Sequence, residues 1–217
     1  MKARNAVLAA LVASALAPAT AARGEEVGGF AVDAHVGYSE LTSAKSSAKA
    51  VFGGSSGGVV YGGGLRYALR NHFYVGAWAR SFAKDGERVF IADATSPVFP
   101  LGHPLEVRIV PIQATVGYRL SGARGIVPYV GAGGGLTRYH EESVVAGETE
   151  STTQTKTSWH LLAGVEVGQG RFRFATEAGY SFVPNALGLG GVSKVYGETD
   201  IGGFSFVGKA VFSFSHR

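Results

Sequence analysis

Six histidines are the side chains of this chain best suited to acid–base catalysis. They are His35, His72, His103, His140, His160 and His216. A serine nucleophile on the same strand face would stand two residues after its histidine, because alternate side chains of a strand share a face. No histidine has a serine at that position; five are followed there by Gly37, Tyr74, Leu105, Glu142 and Leu162, and the chain ends before the sixth. The sequence thus contains no local nucleophile–base pair, and we expect no enzymatic activity.

Other residue clusters are also weak candidates for chemistry. His140, Glu141 and Glu142 could hold a divalent cation, but solvated loop charge is the simpler interpretation. The glycines of 131–135 resemble a phosphate-binding loop, yet no helix pattern and no Lys-Ser/Thr pair follows them. Cys is absent, which excludes disulfides and thiolate metal sites. We therefore expect no metal and no cofactor.

Apolar and polar side chains alternate along several segments of the chain. Gly203–Phe214 has Phe204, Phe206, Phe212 and Phe214 on one face and small or polar side chains on the other. Aromatic rings at both ends of an oily face are typical of a strand that crosses a bilayer. The same alternation recurs in seven earlier segments, approximately 29–41, 58–70, 73–82, 106–120, 127–139, 159–168 and 172–183. The alternation predicts an all-β protein with eight strands.

The connections between these strands alternate between long and short. Four long loops, including a mobile one over 42–57, a proline-containing one over 83–105 and a polar one over 140–158, would lie at one end. Three tight turns, among them Asn71-His72, would lie at the other end with both termini. A change of phase near Val110-Pro111 predicts a β-bulge there. This pattern predicts an eight-stranded antiparallel up-and-down transmembrane β-barrel.

The face opposite the oily one carries ions that can be paired by sign. We expect nine of these residues to form an ion network that plugs the lumen, because buried charge is tolerable only when it is paired. They are Asp33, His35, Arg66, Arg80, Arg119, Glu166, Arg173, Glu177 and Lys209. His160 could also meet Glu166 inside. Simple packing and charge balance account for such a network more readily than transport does.

The oily face is predicted to carry an aromatic girdle against lipid. Its members are Phe30, Tyr38, Tyr67, Tyr118, Trp159, Phe172, Tyr180, Phe204, Phe212 and Phe214. A soluble barrel of the lipocalin kind would turn these rings inward. We reject that alternative because the rings are too bulky for an eight-stranded lumen, and the other face is poor in Lys and Glu for a water-facing surface.

The first 22 residues have the features of a cleaved secretory signal. Lys2 and Arg4 precede an apolar stretch, residues 6–16, that is too short to span a bilayer as a helix. Small residues follow, with cleavage predicted after Ala21 or Ala22. The mature barrel domain would then comprise residues 23–217. A formal charge of +4, without basic runs that alternate with aromatics, argues against nucleic-acid binding.

Short motifs connect the chain to a known family. The run Val127-Pro128-Tyr129-Val130-Gly131 with the glycines after it resembles the PYVGxGxG stretch of small outer-membrane β-barrel domains, the group that includes OmpA- and OmpX-like barrels. Gly117-Tyr118-Arg119-Leu120 is similar to their GYRF strand ends. The resemblance implies insertion into the outer membrane of a Gram-negative-type cell by the assembly machinery, with periplasmic termini and contacts to lipid and lipopolysaccharide.

Barrels of this shape also include lipid A deacylases and acyltransferases. The deacylases resemble one another in a His-x-Ser-Asn run, which this chain lacks. The first hypothesis is therefore a non-enzymatic barrel with a structural or surface-interaction role. A narrow channel is the alternative, and a lipid A-modifying enzyme is a third.

Overall fold

Eight antiparallel strands form a closed barrel in which each strand pairs with its neighbours in sequence and the last pairs with the first. The computed structural model describes residues 29–120, 125–145, 147–188 and 190–214. The strands are β1 (Phe30–Glu40), β2 (Gly57–Ala68), β3 (Phe73–Phe90), β4 (Phe99–Arg119), β5 (Ile126–Val145), β6 (Glu148–Gln169), β7 (Phe172–Phe182) and β8 (Gly203–Phe214). The predicted eight-stranded, up-and-down order is confirmed. The predicted signal segment lies outside the described residues.

The strands differ in length, so that the barrel has one tall side. Strands β3 to β6 have 18 to 22 residues, whereas β1, β2, β7 and β8 have 11 or 12. The prediction of a loop over 140–158 is wrong, because β5 and β6 stay paired up to Val145 and Glu148. Thr and Val in this segment favour strand over irregular loop. The four long strands therefore form a wall that extends past the short ones.

The inside and the outside of the wall exchange character part-way along it. On β4, Gln113 and Thr115 point inward below Pro111, and Leu105, Val107 and Ile109 are buried on the same side above it. The pairing of β4 with β5 runs without a shift from Leu105 to Arg119. The predicted bulge at Val110-Pro111 is therefore wrong: the strand keeps its register, and it is the side chains that change character. Above Pro111, apolar side chains turn inward as they do in a sheet that faces water on one side.

Two short helices occupy the space beside the wall. A 3₁₀ turn at Thr42–Ala44 leads into α1 (Lys45–Val51), and α2 (Gly191–Tyr196) lies in the last connection. The segment 42–57, predicted as a mobile loop, is therefore partly helical. Neither helix has the length and apolarity needed to cross a membrane, and no other helix in the described residues does.

Buried apolar side chains from α1, the wall, the short strands and the last connection form one cluster at this end of the barrel. The cluster comprises Leu41, Ala48, Val60, Phe82, Leu105, Val107, Ile109, Tyr139, Val183, Ala186, Ile201 and Val207. Gly86 on β3 lets α1 approach closely, because a Cβ there would collide with the carbonyl of Val51. Burial of this cluster holds the connections in place.

The two helical connections are joined by one carboxylate. Glu198, just after α2, accepts hydrogen bonds from the backbone N–H groups of Ser46 (2.9 Å) and Ser47 (2.8 Å) in the first turn of α1. These N–H groups have no partner within the helix, and negative charge at a helix N-terminus is favourable. Glu198 therefore acts as a capping residue supplied by a distant part of the chain.

Replacing this carboxylate should loosen α1 without unfolding the barrel. We expect Glu198→Ala to cost about 0.5–2 kcal/mol of local stability, the range measured for lost helix caps. Hydrogen–deuterium exchange of residues 45–51 should become faster, while exchange in β1 and β8 stays slow. Glu148→Ala, an exposed carboxylate at the tip of the β5–β6 hairpin, is the matched control. Equal exchange rates in both variants would contradict a capping role.

Candidate functional site

Aromatic side chains lie on the outer surface at two levels. Phe30 pairs with Tyr67 and with Phe214 across neighbouring strands, and Phe172 pairs with Phe212, all near the short-turn end. Tyr118 lies near this end too, opposite Phe73. Tyr38, Tyr180 and Phe204 lie near the other ends of their strands, and Trp159 on the longer β6 lies opposite Phe182, where β7 ends. Between the levels the outward side chains are aliphatic or small, for example Val116 and Ile112.

The inward faces bring together all nine ionisable residues named from the sequence. One centre is Glu166 of β6, which is almost fully buried with 1% of its surface exposed. Its carboxylate accepts hydrogen bonds from Arg66 at 2.9 Å, from Arg119 at 2.9 Å and from Arg173 at 2.8 Å. Three guanidinium groups from β2, β4 and β7 therefore share one carboxylate. Charge-assisted bonds of this kind are the strong ones.

The second centre is Glu177 of β7. Its carboxylate lies 2.6 Å from the Arg80 guanidinium and 2.6 Å from Lys209 Nζ, and it accepts a bond of 3.1 Å from the Tyr129 hydroxyl. Arg80 also stacks over the Trp78 ring at 4.3 Å. The sequence pattern did not single out Tyr129 as a partner, although its place between Val127 and Gly131 puts it on the inward face.

The imidazole ring of His35 on β1 lies between a carboxylate and a guanidinium group. The Nε2 atom of His35 accepts a hydrogen bond of 3.2 Å from Arg80 Nε, so that Nδ1 carries the proton it donates to Asp33 at 2.7 Å. A catalytic histidine would need a nucleophile at Nε2. Arg80 occupies that position here. With Tyr129 from β5 included, every strand of the barrel contributes to the charged network.

His160 belongs to a separate polar layer and does not pair with Glu166. Its ring nitrogens lie 2.9 Å from the Thr115 hydroxyl and 3.2 Å from the Gln113 side-chain oxygen. Gln113 continues the layer to Ser158, whose hydroxyl also accepts a bond of 2.8 Å from Thr137. These buried groups satisfy one another, which removes the cost of burying them unpaired.

Glycines make room for the large side chains inside. A Cβ at Gly117 would collide with the Tyr74 ring, and a Cβ at Gly164 would collide with the Tyr129 ring. The glycine-rich run predicted to face a crowded lumen includes Gly131 and Gly133, whose Cβ positions would meet Tyr74 and the backbone of Ala114. Large side chains therefore pack against these glycines, and the interior cavity lined by Arg80, His160 and Glu177 has a volume of about 70 Å³.

Ionisable side chains on the wall, beyond the charged network, are bonded to neighbouring protein groups. Burial lowers the pKa of Lys84, whose ammonium group donates to Ser55 and to the carbonyl of Gly57. Burial together with the nearby Glu141 raises the pKa of Tyr139. His140 contacts Thr153 at 2.8 Å and lies 3.8 Å from Glu142. In the described part of the chain, no three His, Cys, Asp or Glu side chains are grouped as a metal site requires.

Known proteins share this architecture. The family model "Outer membrane protein beta-barrel domain" matches residues 6–180. The chain belongs to that family. A major outer membrane protein of Thermus thermophilus is similar in structure, with 10% identity, a TM-score of 0.57, and coverage of 87% of this chain and 100% of the other. No curated protein sequence matches the chain significantly.

OprG of Pseudomonas aeruginosa, also an outer membrane protein, is similar too. It shows 10% identity and a TM-score of 0.55, and the match covers 90% of this chain and 100% of OprG. At such identities the likeness concerns the fold alone. Family and fold together identify an outer membrane β-barrel protein, whose aliphatic and aromatic outer surface faces lipid.

Proposed function

We propose that this outer membrane protein is a non-enzymatic, closed barrel with a structural or surface-interaction role. The observation that carries the proposal is the charged network around Glu166 and Glu177, to which all eight strands contribute. Side chains that bridge the lumen from every side leave no continuous water path of useful width. Removing either carboxylate would also leave cations without a partner, so the network is better suited to holding the barrel together than to conducting.

The proposal also covers export, orientation and assembly. We propose that residues 1–22 direct export and that residues 23–217 are the mature domain, with both termini in the periplasm. The last strand, with Phe212 and Phe214, would be recognised by the assembly machinery. Lipopolysaccharide would surround the outer level of rings, and the wall with its two helices would project outside the cell. The exposed side chains of Phe90 and Phe99 near the tip of the β3–β4 hairpin favour a surface-interaction role.

Planar lipid bilayers test whether the lumen is closed. We expect the wild-type protein to give no steady, reproducible single-channel openings. The double variant Arg80→Ala/Glu177→Ala removes the second charge centre and should produce openings. Arg88→Ala/Glu150→Ala is the matched control, because it removes an exposed ion pair of the same kind on the wall. Steady openings of the wild type would favour the narrow channel instead.

The absence of enzymatic activity has its own test. Mass analysis of lipid A from cells that express the protein should show an unchanged acyl pattern. A lost or added acyl chain would overturn the non-enzymatic part of the proposal. Repeating the experiment with His35→Ala would then show whether the Asp33–His35 pair is responsible.

A further inference from the structure

A second cavity lies at the outer end of the barrel, away from the charged network. Its volume is about 610 Å³, within the range of pockets that hold small ligands. On one side it is bounded by α1 and the last connection, and on the other by the inner surface of the wall. Its lining is mostly aliphatic and aromatic and includes Leu41, Phe52, Leu101, Leu105, Leu187 and Ile201.

The inner end of this cavity is lined by apolar side chains. Leu41, Ile109 and Ile201 line both it and the small interior cavity that contains Arg80 and Glu177. Val60 and Phe82, each 3% exposed, lie beside them in the same apolar layer. An apolar floor of this kind separates the outer cavity from the ions below. The cavity therefore has the form of a binding pocket and not that of a channel entrance.

The charges in the wall of the cavity already have protein partners. Arg88 donates to Glu150 at 2.7 Å, and Glu141 accepts from the Tyr139 hydroxyl. Because Arg88, the cation of the lining, is already paired with Glu150, an anionic ligand would find no free counter-charge there, and burying an uncompensated charge is costly. The lining thus favours an uncharged occupant over an anionic one.

One polar group in the lining has no partner. Ser47 of α1 is 7% exposed, and its hydroxyl has no hydrogen-bond partner among the described residues. Buried hydroxyls are normally satisfied, and an exception calls for an explanation. A single hydroxyl or carbonyl on an otherwise apolar ligand would supply the missing bond after a small rotation of this side chain.

We infer that the outer cavity is a binding site for an uncharged, largely apolar small molecule. The ligand lies between α1 and the wall and is reached from the cell exterior. This site is independent of the closed lumen, because the apolar floor separates the two. Binding can therefore fail while the barrel remains closed, and the barrel can prove open while the pocket still binds.

The test uses two related probes and the full barrel in lipid nanodiscs. The first is N-phenyl-1-naphthylamine, which is uncharged, and the second is 1-anilinonaphthalene-8-sulfonate, which adds a sulfonate to the same ring system. Methyl NMR signals of Leu105, Val107 and Ile201 in the pocket should shift and saturate with the first probe. Signals of Val116 and Leu161 on the lipid face should change only in proportion to probe dissolved in the membrane. The sulfonate should bind at least about tenfold more weakly, because its charge must be buried.

Two filling variants and one control complete the test. Leu101→Trp and Leu187→Trp narrow the pocket from opposite sides, and each should weaken binding by about tenfold or more, since an overfilled site excludes its ligand. Phe99→Trp, two residues from Leu101 but outside the lining, should bind as the wild type does. Heat-modifiable gel mobility verifies that each variant is folded. The proposal is overturned by shifts that never saturate, by equal affinity for the sulfonate, or by undiminished binding in both filled variants.

Discussion

Replacing Glu166 by glutamine is expected to destabilise the folded barrel by about 3–5 kcal/mol, the range for removing one partner of a buried ion pair. The amide keeps the shape of the side chain but loses its negative charge. Arg66, Arg119 and Arg173 would then share a buried space with no carboxylate between them. Reversible urea unfolding from lipid vesicles, followed by tryptophan fluorescence, measures the change.

Two further variants separate charge from shape. Glu150→Gln makes the same substitution in the exposed pair with Arg88, and we expect it to cost less than about 1 kcal/mol. In the double variant Glu166→Gln/Arg173→Met one of the excess cations is also removed, so it should recover part of the loss, as contacting residues are not additive. A cost below about 1 kcal/mol for Glu166→Gln would mean that the network contributes little to holding the strands together.

The alternation of apolar and polar residues along each strand predicts most of the side chains that line the lumen. Glu166 and Glu177 fall in phase with glycine and alanine on their own strands, and Arg66 and Arg119 do the same on theirs. Because the period of a strand is two, one oily face fixes every inward position on it. Which cation meets which carboxylate depends on the stagger between strands. That stagger cannot be derived from the alternation of a single strand.

The protruding wall and its helices were the hardest part to predict, and the reason is physical. Above Pro111 the surroundings change from lipid to water, so the outward side chains become polar and the inward ones apolar. A strand that keeps its geometry then shows a reversed pattern, which the sequence alone presents as a bulge at Val110-Pro111 or as the end of a strand near His140. Helix α1 is equally hard to predict from the sequence. Ser46 and Ser47 are typical of loops, and the carboxylate that caps the helix comes from the distant Glu198.

The reversal also explains how one chain can have both a charged core and an apolar pocket. Within the membrane, lipid covers the aliphatic surface, and the lumen is left for ions that pair across it. Outside the membrane, the same strands must bury their apolar side chains, and the inner surface of the wall is where they can do so. The helical connections pack against part of that surface. The space they leave uncovered is the outer cavity.

The reversal of the side-chain pattern requires that lipid covers only part of the outer surface. An arginine placed on the outer surface of β6 tests whether lipid covers that position. Ala163 points outward, opposite Val130 on β5 and opposite Ala178 near the middle of β7. We expect Ala163→Arg to cost about 2–4 kcal/mol, the range for arginine at the bilayer midplane of a barrel. The measurement is again reversible unfolding from lipid vesicles.

The matched control lies on the same face of the same strand. Thr155 is eight residues from Ala163 and exposed, which places it roughly 26 Å farther along at about 3.3 Å per residue, on the wall outside the lipid. There we expect Thr155→Arg to change the free energy of unfolding by less than about 0.5 kcal/mol, as surface substitutions in water do. Ala163→Leu, which keeps the position apolar, should likewise be tolerated. Equal costs for the two arginines would show that lipid does not reach Ala163, and the assignment of the outer surface of β6 to the membrane would then be wrong.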